Sequence, residues 1–259
     1  YNTAVGYDSG RLMTTATQNT LIGAQVGDAI TIGGSNVAVG MKALTTETEG
    51  STAVAVGYSA LEAQNMGAET ANYNVAVGYK AGEAVTTGIK NTLVGGLAGD
   101  ALTDADFNVA MGYLALSVDT LGSGATAIGL QALANQNFTT ATTNYNTAVG
   151  FQAGLSVSTG VQNTLIGGLA GDALTTGQQN VAIGYHALGS DDVGQKTVAI
   201  GEGALFTQNY ATATDSYNTA VGYNVGNAVT TATHNTLIGA LAGDALTTGA
   251  SNVAVGYGA

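Results

Sequence analysis

The sequence contains no cysteine, no proline and no tryptophan, and only 8% of its 259 residues are charged. The absence of cysteine excludes disulfide bonds and thiolate metal sites. No apolar run approaches the roughly 20 residues that a membrane-spanning helix needs, so we expect no membrane insertion by this segment. The five Lys and Arg residues lie singly among 17 acidic residues, which argues against binding to nucleic acid.

Glycine and small aliphatic residues are abundant instead. The chain has 39 glycines, and 45% of its residues are hydrophobic, mainly Ala, Val, Leu and Ile. Such residues fill a narrow interior rather than a wide one. This apolar content is too high for a disordered linker, and the glycines do not follow the collagen period.

A five-residue motif recurs fifteen times: Asn, then Thr or Val, then Ala or Leu, then Val, Ile or Met, then Gly. The first copies begin at Asn2, Asn19, Asn36, Ala53 and Asn74, so three equal intervals are followed by a longer one. We call one copy with its following residues a coil, and each cycle of three short coils and one long coil a super-repeat. The super-repeats cover 2–73, 74–145, 146–217 and, in part, 218–259. We predict one segment over 1–259, a fragment of a longer fibre.

The spacing predicts an all-β fold, a parallel β-solenoid or β-roll of 17- and 21-residue coils. In residues 2–7 the small side chains alternate with Thr, Val and Tyr, which is the period of a β-strand. The period is too short for helical repeats. We expect two short strands in each coil, with a bend at the glycine and a return loop.

Two motif positions predict structural columns. The first position is Asn in twelve copies, and its amides either form a hydrogen-bonded ladder between coils or cap local turns; we favour the ladder. The ladder residues are Asn2, Asn19, Asn36, Asn74, Asn91, Asn108, Asn146, Asn163, Asn180, Asn218, Asn235 and Asn252. The fifth position marks a bend or a close backbone approach. Its residues are Gly6, Gly23, Gly40, Gly57, Gly78, Gly95, Gly112, Gly129, Gly150, Gly167, Gly184, Gly201, Gly222, Gly239 and Gly256.

Other recurring side chains have a functional and a structural interpretation. The long coils contain Met66, Phe138 or Tyr210 and end with Tyr73, Tyr145 or Tyr217; these residues either bind a surface ligand such as sugar or pack on neighbouring coils. We favour packing. An aspartate recurs once in each super-repeat, where a turn role is favoured over Ca²⁺ binding because each has too few oxygen ligands nearby. These aspartates are Asp28, Asp100, Asp172 and Asp244.

No residue set predicts catalysis. His186 and His234 have no counterparts in the other repeats and are interpreted as surface residues. Thr pairs such as Thr14-Thr15 and Thr230-Thr231 raise an ice-binding alternative, which we place last because they lie in turns of unequal length. We expect no metal and no cofactor.

The runs NTAVGY, NVAVGY and NVAIGYHAL resemble the head repeats of YadA-like trimeric autotransporter adhesins. Similar repeats occur in tail-fibre proteins of bacteriophages. The resemblance covers all fifteen coils and implies a left-handed parallel β-roll that packs side by side as a homotrimer. The coils here are longer than the family's usual coil. An apolar stripe on the outer strand face gives independent support for self-association.

These observations predict a non-enzymatic, extracellular fibre segment of a virion or a bacterial cell surface. It would space or present a tip that binds a host-surface glycan or protein. The alternatives are a carbohydrate-binding or carbohydrate-degrading β-helical protein and, last, an ice-binding solenoid.

Overall fold

A computed structural model describes residues 1–259. The chain is all-β, has no helix and forms a parallel β-solenoid of about fifteen turns, which confirms the prediction of an all-β parallel solenoid. The strands are short because each covers only the Thr/Val–Ala/Leu–Val/Ile/Met part of the motif. β-Branched residues at the first and third strand positions favour this extended conformation.

The strand bounds are β1 Thr3–Val5, β2 Thr20–Ile22, β3 Val37–Val39, β4 Val54–Val56, β5 Val75–Val77, β6 Thr92–Val94, β7 Val109–Met111, β8 Gly122–Ser123, β9 Thr126–Ile128, β10 Thr142–Thr143, β11 Thr147–Val149, β12 Thr164–Ile166, β13 Val181–Ile183, β14 Gly194–Gln195, β15 Val198–Ile200, β16 Thr214–Asp215, β17 Thr219–Val221, β18 Thr236–Ile238 and β19 Val253–Val255.

The chain divides into two compact units. The first comprises Tyr1–Ala125 and Asn137–Thr143, and the second Thr126–Gln136 and Asn144–Ala259. In the first unit, β1 to β7 form one parallel sheet in chain order, and β8 pairs with β10. In the second unit, the parallel sheet has the order β9-β11-β12-β13-β15-β17-β18-β19, and β14 pairs with β16.

The register places equivalent motif residues opposite each other. In β11 and β12, for example, Thr147 pairs with Thr164, Ala148 with Leu165 and Val149 with Ile166. The middle residues of the three-residue strands from β2 to β18 point inward and are fully or almost fully buried. The first and third residues point outward, as the two-residue period requires.

The interior is filled by a complementary arrangement of Leu and Gly. A Leu in the middle of a strand, such as Leu165, lies between two turn glycines. A Cβ atom on Gly154 or Gly171 would lie 2.7 Å from a methyl carbon of Leu165, so neither position has room for a side chain. Where the strand carries Ala182 instead, the turn carries the buried Leu188. Where both residues of a coil are small, as at Ala148 and Gly154, Leu165 of the next coil fills the space.

The expected second strand is present in only four coils, where it forms β8, β10, β14 and β16. Directly after the motif glycine, the coils contain a series of turns instead. Alternate residues there adopt left-handed backbone conformations, as at Gln25 (φ 54°) and Gly27 (φ 52°). A strand requires negative φ at successive residues, so these turns cannot form one.

Candidate functional site

The asparagine column forms two hydrogen bonds per residue along the solenoid. In eleven of its members Oδ1 accepts the first-position main-chain N–H of the next coil at 2.9–3.0 Å. In the same eleven, Nδ2 donates to the carbonyl 14 residues later at 2.7–3.0 Å. Each amide therefore links the end of its own coil to the start of the next.

The bonding partners are main-chain groups more often than neighbouring amides. Amide-to-amide bonds occur between Asn74 and Asn91 (3.4 Å), Asn218 and Asn235 (3.3 Å), and Asn235 and Asn252 (3.0 Å). Each asparagine thus makes one bond to the next coil, as in a ladder, and one bond to the end of its own coil. Main-chain partners prevail because buried N–H and C=O groups must be paired where no strand bond reaches them.

The column is interrupted once in each complete super-repeat, where the first position holds Ala53, Ala125 or Thr197. Each long coil supplies a substitute acceptor two residues before the next Asn. The Asn72 Oδ1 accepts the N–H of Asn74 at 3.0 Å. The equivalent acceptors of the later long coils are Asn144 Oδ1 and Ser216 Oγ. A residue of each long coil therefore replaces the missing asparagine as the acceptor of this hydrogen bond.

Three buried carboxylates, which the sequence patterns did not identify, lie in the coils that directly precede the interruptions of the asparagine column. Glu47, Asp119 and Asp191 are fully buried and recur once in each complete super-repeat. Glu47 Oε1 accepts the N–H of Gly50 at 2.7 Å, and its Oε2 accepts Nε2 of Gln64 at 3.1 Å. A glutamine, which is Gln64, Gln136 or Gln208, follows each carboxylate at the interval of one short coil, and this spacing was the available signal.

The glutamine continues the polar connection to the next asparagine. Gln208 Nε2 donates to Asp191 Oδ2 at 2.7 Å, and Gln208 Oε1 accepts Nδ2 of Asn218 at 2.9 Å. Burial raises the pKa of the Asp191 carboxyl, and the hydrogen bonds from Gln208 and Gly194 partly offset this effect. We call this chain of carboxylate, glutamine and asparagine the relay. Because an ionised carboxylate only accepts hydrogen bonds, the glutamine must donate to it, and the glutamine oxygen then accepts from the asparagine.

The glycine column has both features that require glycine. Its fifteen residues have φ between 126° and 146°. A Cβ atom on Gly184 would lie 2.5 Å from the carbonyl oxygen of Gly201 in the next coil. Other members show the same approach, with Cβ-to-oxygen distances down to 2.1 Å at Gly6. The column is therefore a place of close backbone contact between coils.

The aromatic residues of the long coils divide into two groups. Phe138 and Tyr210 are buried, with 6% and 4% of their surface exposed. Tyr210 Oη donates to the Ala232 carbonyl at 2.6 Å, and burial raises its pKa. Tyr73, Tyr145 and Tyr217 are exposed, whereas Met66 is partly exposed. The first group therefore packs within the solenoid, and the terminal tyrosines remain accessible.

The recurring aspartates are not gathered into a cluster. Asp28 Oδ2 lies 3.7 Å from Arg11 Nη2. Asp100 and Asp172 are half-buried; burial raises the pKa of both carboxyls, and one oxygen of each has no hydrogen-bond partner. Asp244 lies at the equivalent turn position. No group of three or more His, Asp or Glu side chains has the arrangement of a metal site.

Both histidines contact aromatic rings. The His186 ring lies 4.2 Å from Tyr185 and 5.5 Å from Phe206, measured between centroids. The His234 ring lies 5.2 Å from that of Tyr217. The hydroxyl of Tyr217 lies 3.1 Å from Asp215 Oδ2 and 3.2 Å from Lys196 Nζ, so this part of the second unit differs from the other repeats.

Threonines in the turns of successive coils are linked by hydrogen bonds. Thr14 Oγ1 donates to the Thr31 carbonyl and Thr31 Oγ1 to the Thr48 carbonyl, both at 3.0 Å. These threonines lie in bends outside the strands, although their hydroxyls are aligned in successive coils. Their hydroxyl protons are donated to main-chain carbonyls of the neighbouring coil, which leaves them unavailable as donors to solvent.

The outer sheet face, formed by the first and third residues of the main-sheet strands, carries exposed aliphatic side chains. In the first unit Ile22, Val77 and Met111 are 41%, 37% and 40% exposed. In the second unit Ile166 and Ile238 are 37% and 41% exposed. The third strand positions, which are all Val, Ile or Met, pair in register and so form a row of aliphatic side chains along each unit.

The structure contains no helix that could cross a membrane, and no pocket is present on its surface. No family model, curated protein or solved structure matched the chain. The chemistry offered by the surface is therefore that of extended rows of side chains rather than of an enclosed site.

Proposed function

We propose that the chain is a non-enzymatic structural segment of an extracellular, adhesive fibre in which three copies pack side by side. The fibre belongs to a phage tail or capsid, or to a bacterial cell surface. It holds a tip that binds a host-surface glycan or protein at a fixed distance. The resemblance of the repeats to YadA-like head repeats and phage fibre repeats supports this proposal.

The exposed outer sheet face is the observation that carries the proposal. Water disfavours a contiguous aliphatic surface of this kind, and such surfaces mark sites of association. In both units the face is built from short parallel strands, with Val, Ile and Met at their third position. Because every coil contributes, the contact area of two faces would grow with the number of coils, which suits a fibre.

The internal hydrogen-bond columns support the mechanical part of the proposal. Every coil is tied to its neighbours by strand bonds, by an asparagine amide or its substitute, and by the close glycine contacts. Stability in such a stack is distributed among neighbouring contacts rather than placed in one core. This arrangement resists local bending and suits a spacer.

Sedimentation of the intact chain tests the association. We expect a species of three times the 25.5 kDa chain mass, and a monomer at micromolar concentration would refute the homotrimer. The double variant Ile166→Ser, Ile238→Ser should dissociate it because polar groups replace the aliphatic contact. Val118→Ser is the matched control, since Val118 is 43% exposed but lies outside the strands.

A further inference from the structure

The residues that directly follow the column glycines form a ring column in the second unit. Aromatic rings alternate there with other residues over seven successive coils. The rings belong to Phe151, Tyr185, Tyr223 and Tyr257, and the intervening residues are Gly168, Glu202 and Ala240. Since parallel strands lie about 4.8 Å apart, rings two coils apart repeat at about 9.6 Å.

The rings are accessible, and that of Tyr185 is also held in place by its neighbours. Phe151, Tyr185 and Tyr223 are 51%, 54% and 52% exposed. Ring carbons Cδ2 and Cε2 of Tyr185 lie 3.4 Å and 3.8 Å from the place that a Cβ on Gly168 would occupy, so the ring packs against this glycine. His186 contacts the same ring edge-on at 4.2 Å. A ring supported in this way loses little further freedom when a ligand covers it.

The spacing and the flat surface indicate the ligand. The C–H groups on a pyranose face pack on the electron-rich face of an aromatic ring. An extended β-1,4-linked glycan presents the same sugar face at every second residue, at a repeat close to two strand spacings. The absence of a pocket favours a long chain lying along the rings over a single enclosed sugar.

Charge narrows the class of glycan. The chain has a net charge of −12, and Glu202 lies in the ring column between Tyr185 and Tyr223. A sulfated or uronic-acid glycan would be repelled along this line, whereas an uncharged glycan would not. We propose that the ring column of the second unit is a binding track for uncharged β-1,4-linked polysaccharide of the cellulose or chitin type.

This proposal rests on the adhesive function proposed above. It adds a glycan contact along the solenoid to the contact made by the tip. The first unit offers a natural contrast, because its ring column contains Met41 and has Tyr58 and Tyr79 stacked in adjacent coils at 5.6 Å. Tyr79 and Tyr113 lie two coils apart, as in the second unit, but the alternation does not extend over the earlier coils of the first unit. The longer regular column of the second unit should therefore contribute most of the glycan binding.

Calorimetric titration of the intact chain with cellohexaose and chitohexaose tests the track. Binding should strengthen with each added pair of sugars, and maltohexaose, which is α-linked, should bind at least tenfold more weakly. Tyr185→Ser and Tyr223→Ser should each weaken binding about three- to tenfold, the loss expected for one aromatic contact. Equal binding of maltohexaose, or unchanged binding by both variants, would overturn the proposal.

Tyr145→Ser and Tyr217→Ser are matched controls. Both tyrosines are exposed, at 63% and 49%, but lie outside the ring column. They should leave glycan affinity unchanged, and a loss equal to that of the ring-column variants would contradict the track. Circular dichroism of all four variants establishes that each retains the fold.

Sedimentation of the same samples separates this proposal from the trimer. A monomeric chain that binds cellohexaose through Tyr185 and Tyr223 would refute the trimer and retain the track. A trimer that binds neither glycan and dissociates when Tyr185 is replaced would place the rings in the subunit interface. That result would refute the glycan-binding proposal and leave the proposal of a trimeric fibre intact.

Discussion

Oδ1 of Asn146 accepts the main-chain N–H of Asn163 at 2.9 Å, and Nδ2 of Asn146 donates to the Gly160 carbonyl at 2.7 Å. One buried amide thus pairs two main-chain groups that belong to successive coils. Removing it would leave a buried donor and a buried acceptor unpaired. The asparagine column consequently stabilises the fold because it gives buried main-chain N–H and C=O groups a hydrogen-bond partner.

Replacing a central asparagine should therefore cost more than one hydrogen bond. We expect Asn163→Ala to lower the free energy of unfolding by about 2–4 kcal/mol, because the Asn180 N–H and the Gly177 carbonyl lose their partner. Urea denaturation measures the difference. Gln162→Ala, at the exposed neighbouring residue, should change stability by less than about 0.5 kcal/mol. Equal losses in the two variants would contradict the column's role.

Asn163→Asp is a stricter variant of the same experiment. The carboxylate preserves the shape and the acceptor but cannot donate to the Gly177 carbonyl at neutral pH. We expect it to be at least as destabilising as Asn163→Ala at pH 7, and to recover part of this loss at pH 3 as the carboxyl becomes protonated. A stable variant at pH 7 would show that the donated bond contributes little.

The glycine column predicts a contrast between two neighbouring glycines. Gly184→Ala should destabilise by about 3 kcal/mol or more, since its φ of 132° disfavours a side chain and its Cβ would meet the Gly201 carbonyl oxygen at 2.5 Å. Gly168→Ala meets only the Tyr185 ring at 3.4 Å and lacks a left-handed φ. It should cost less than about 1 kcal/mol, as thermal unfolding of both variants can show.

The columns were predictable from sequence because in-register stacking converts a periodic residue into a row. Asn146 and Gly150 follow this rule directly. Packing was favoured for the aromatic residues of the long coils, and Phe138 and Tyr210 are buried. The exposure of Tyr145 and Tyr217 did not follow, because it depends on how the extra residues of a long coil fold back onto the solenoid. Asp191 was missed since its partner, Gln208, belongs to a coil of a different length. The complementarity of strand leucines and turn glycines was present in the sequence but required the path of the turn.

That complementarity predicts a favourable coupling between two substitutions. Leu165→Ala should cost about 2–5 kcal/mol through the cavity it creates. Gly171→Leu alone should also destabilise, because its Cβ would lie 2.7 Å from Leu165 Cδ2. The double variant places Ala and Leu as at Ala182 and Leu188, where Leu188 adopts a φ of 53°. Leu174, whose Cδ1 would lie 2.9 Å from the new Cβ, has no leucine counterpart in that coil, so part of the cost remains.

A double-mutant cycle measured by urea denaturation tests this coupling. We expect the two changes together to cost about 1–3 kcal/mol less than the sum of the single changes. Leu165→Ala combined with Gly249→Ala, at a distant turn, provides the control and should be additive. Additivity of the Leu165 and Gly171 changes would show that the two sites do not share one space.

The buried Asp191 gives the stability of the second unit a pH dependence of definite sign. Burial raises its folded-state pKa above the ordinary value of 3.8, and the neighbouring Asp192 adds to this shift. The folded state therefore binds the proton more tightly than the unfolded state. The resulting stabilisation is full below about pH 3.8 and is lost as the pH rises through the folded-state pKa.

Asp191→Asn removes this titration and serves as its reference. The free energy of unfolding of the parent chain, minus that of the variant, should fall as the pH rises from about 3.5 and level off once Asp191 is ionised. The variant should also be destabilised, because Asp191 accepts from both Nε2 of Gln208 and the N–H of Gly194, whereas the NH2 group of an asparagine must face one of these donors. Guanidinium unfolding at several pH values measures both effects. A difference that rose with pH would show that hydrogen bonding, rather than burial, dominates the carboxyl's environment.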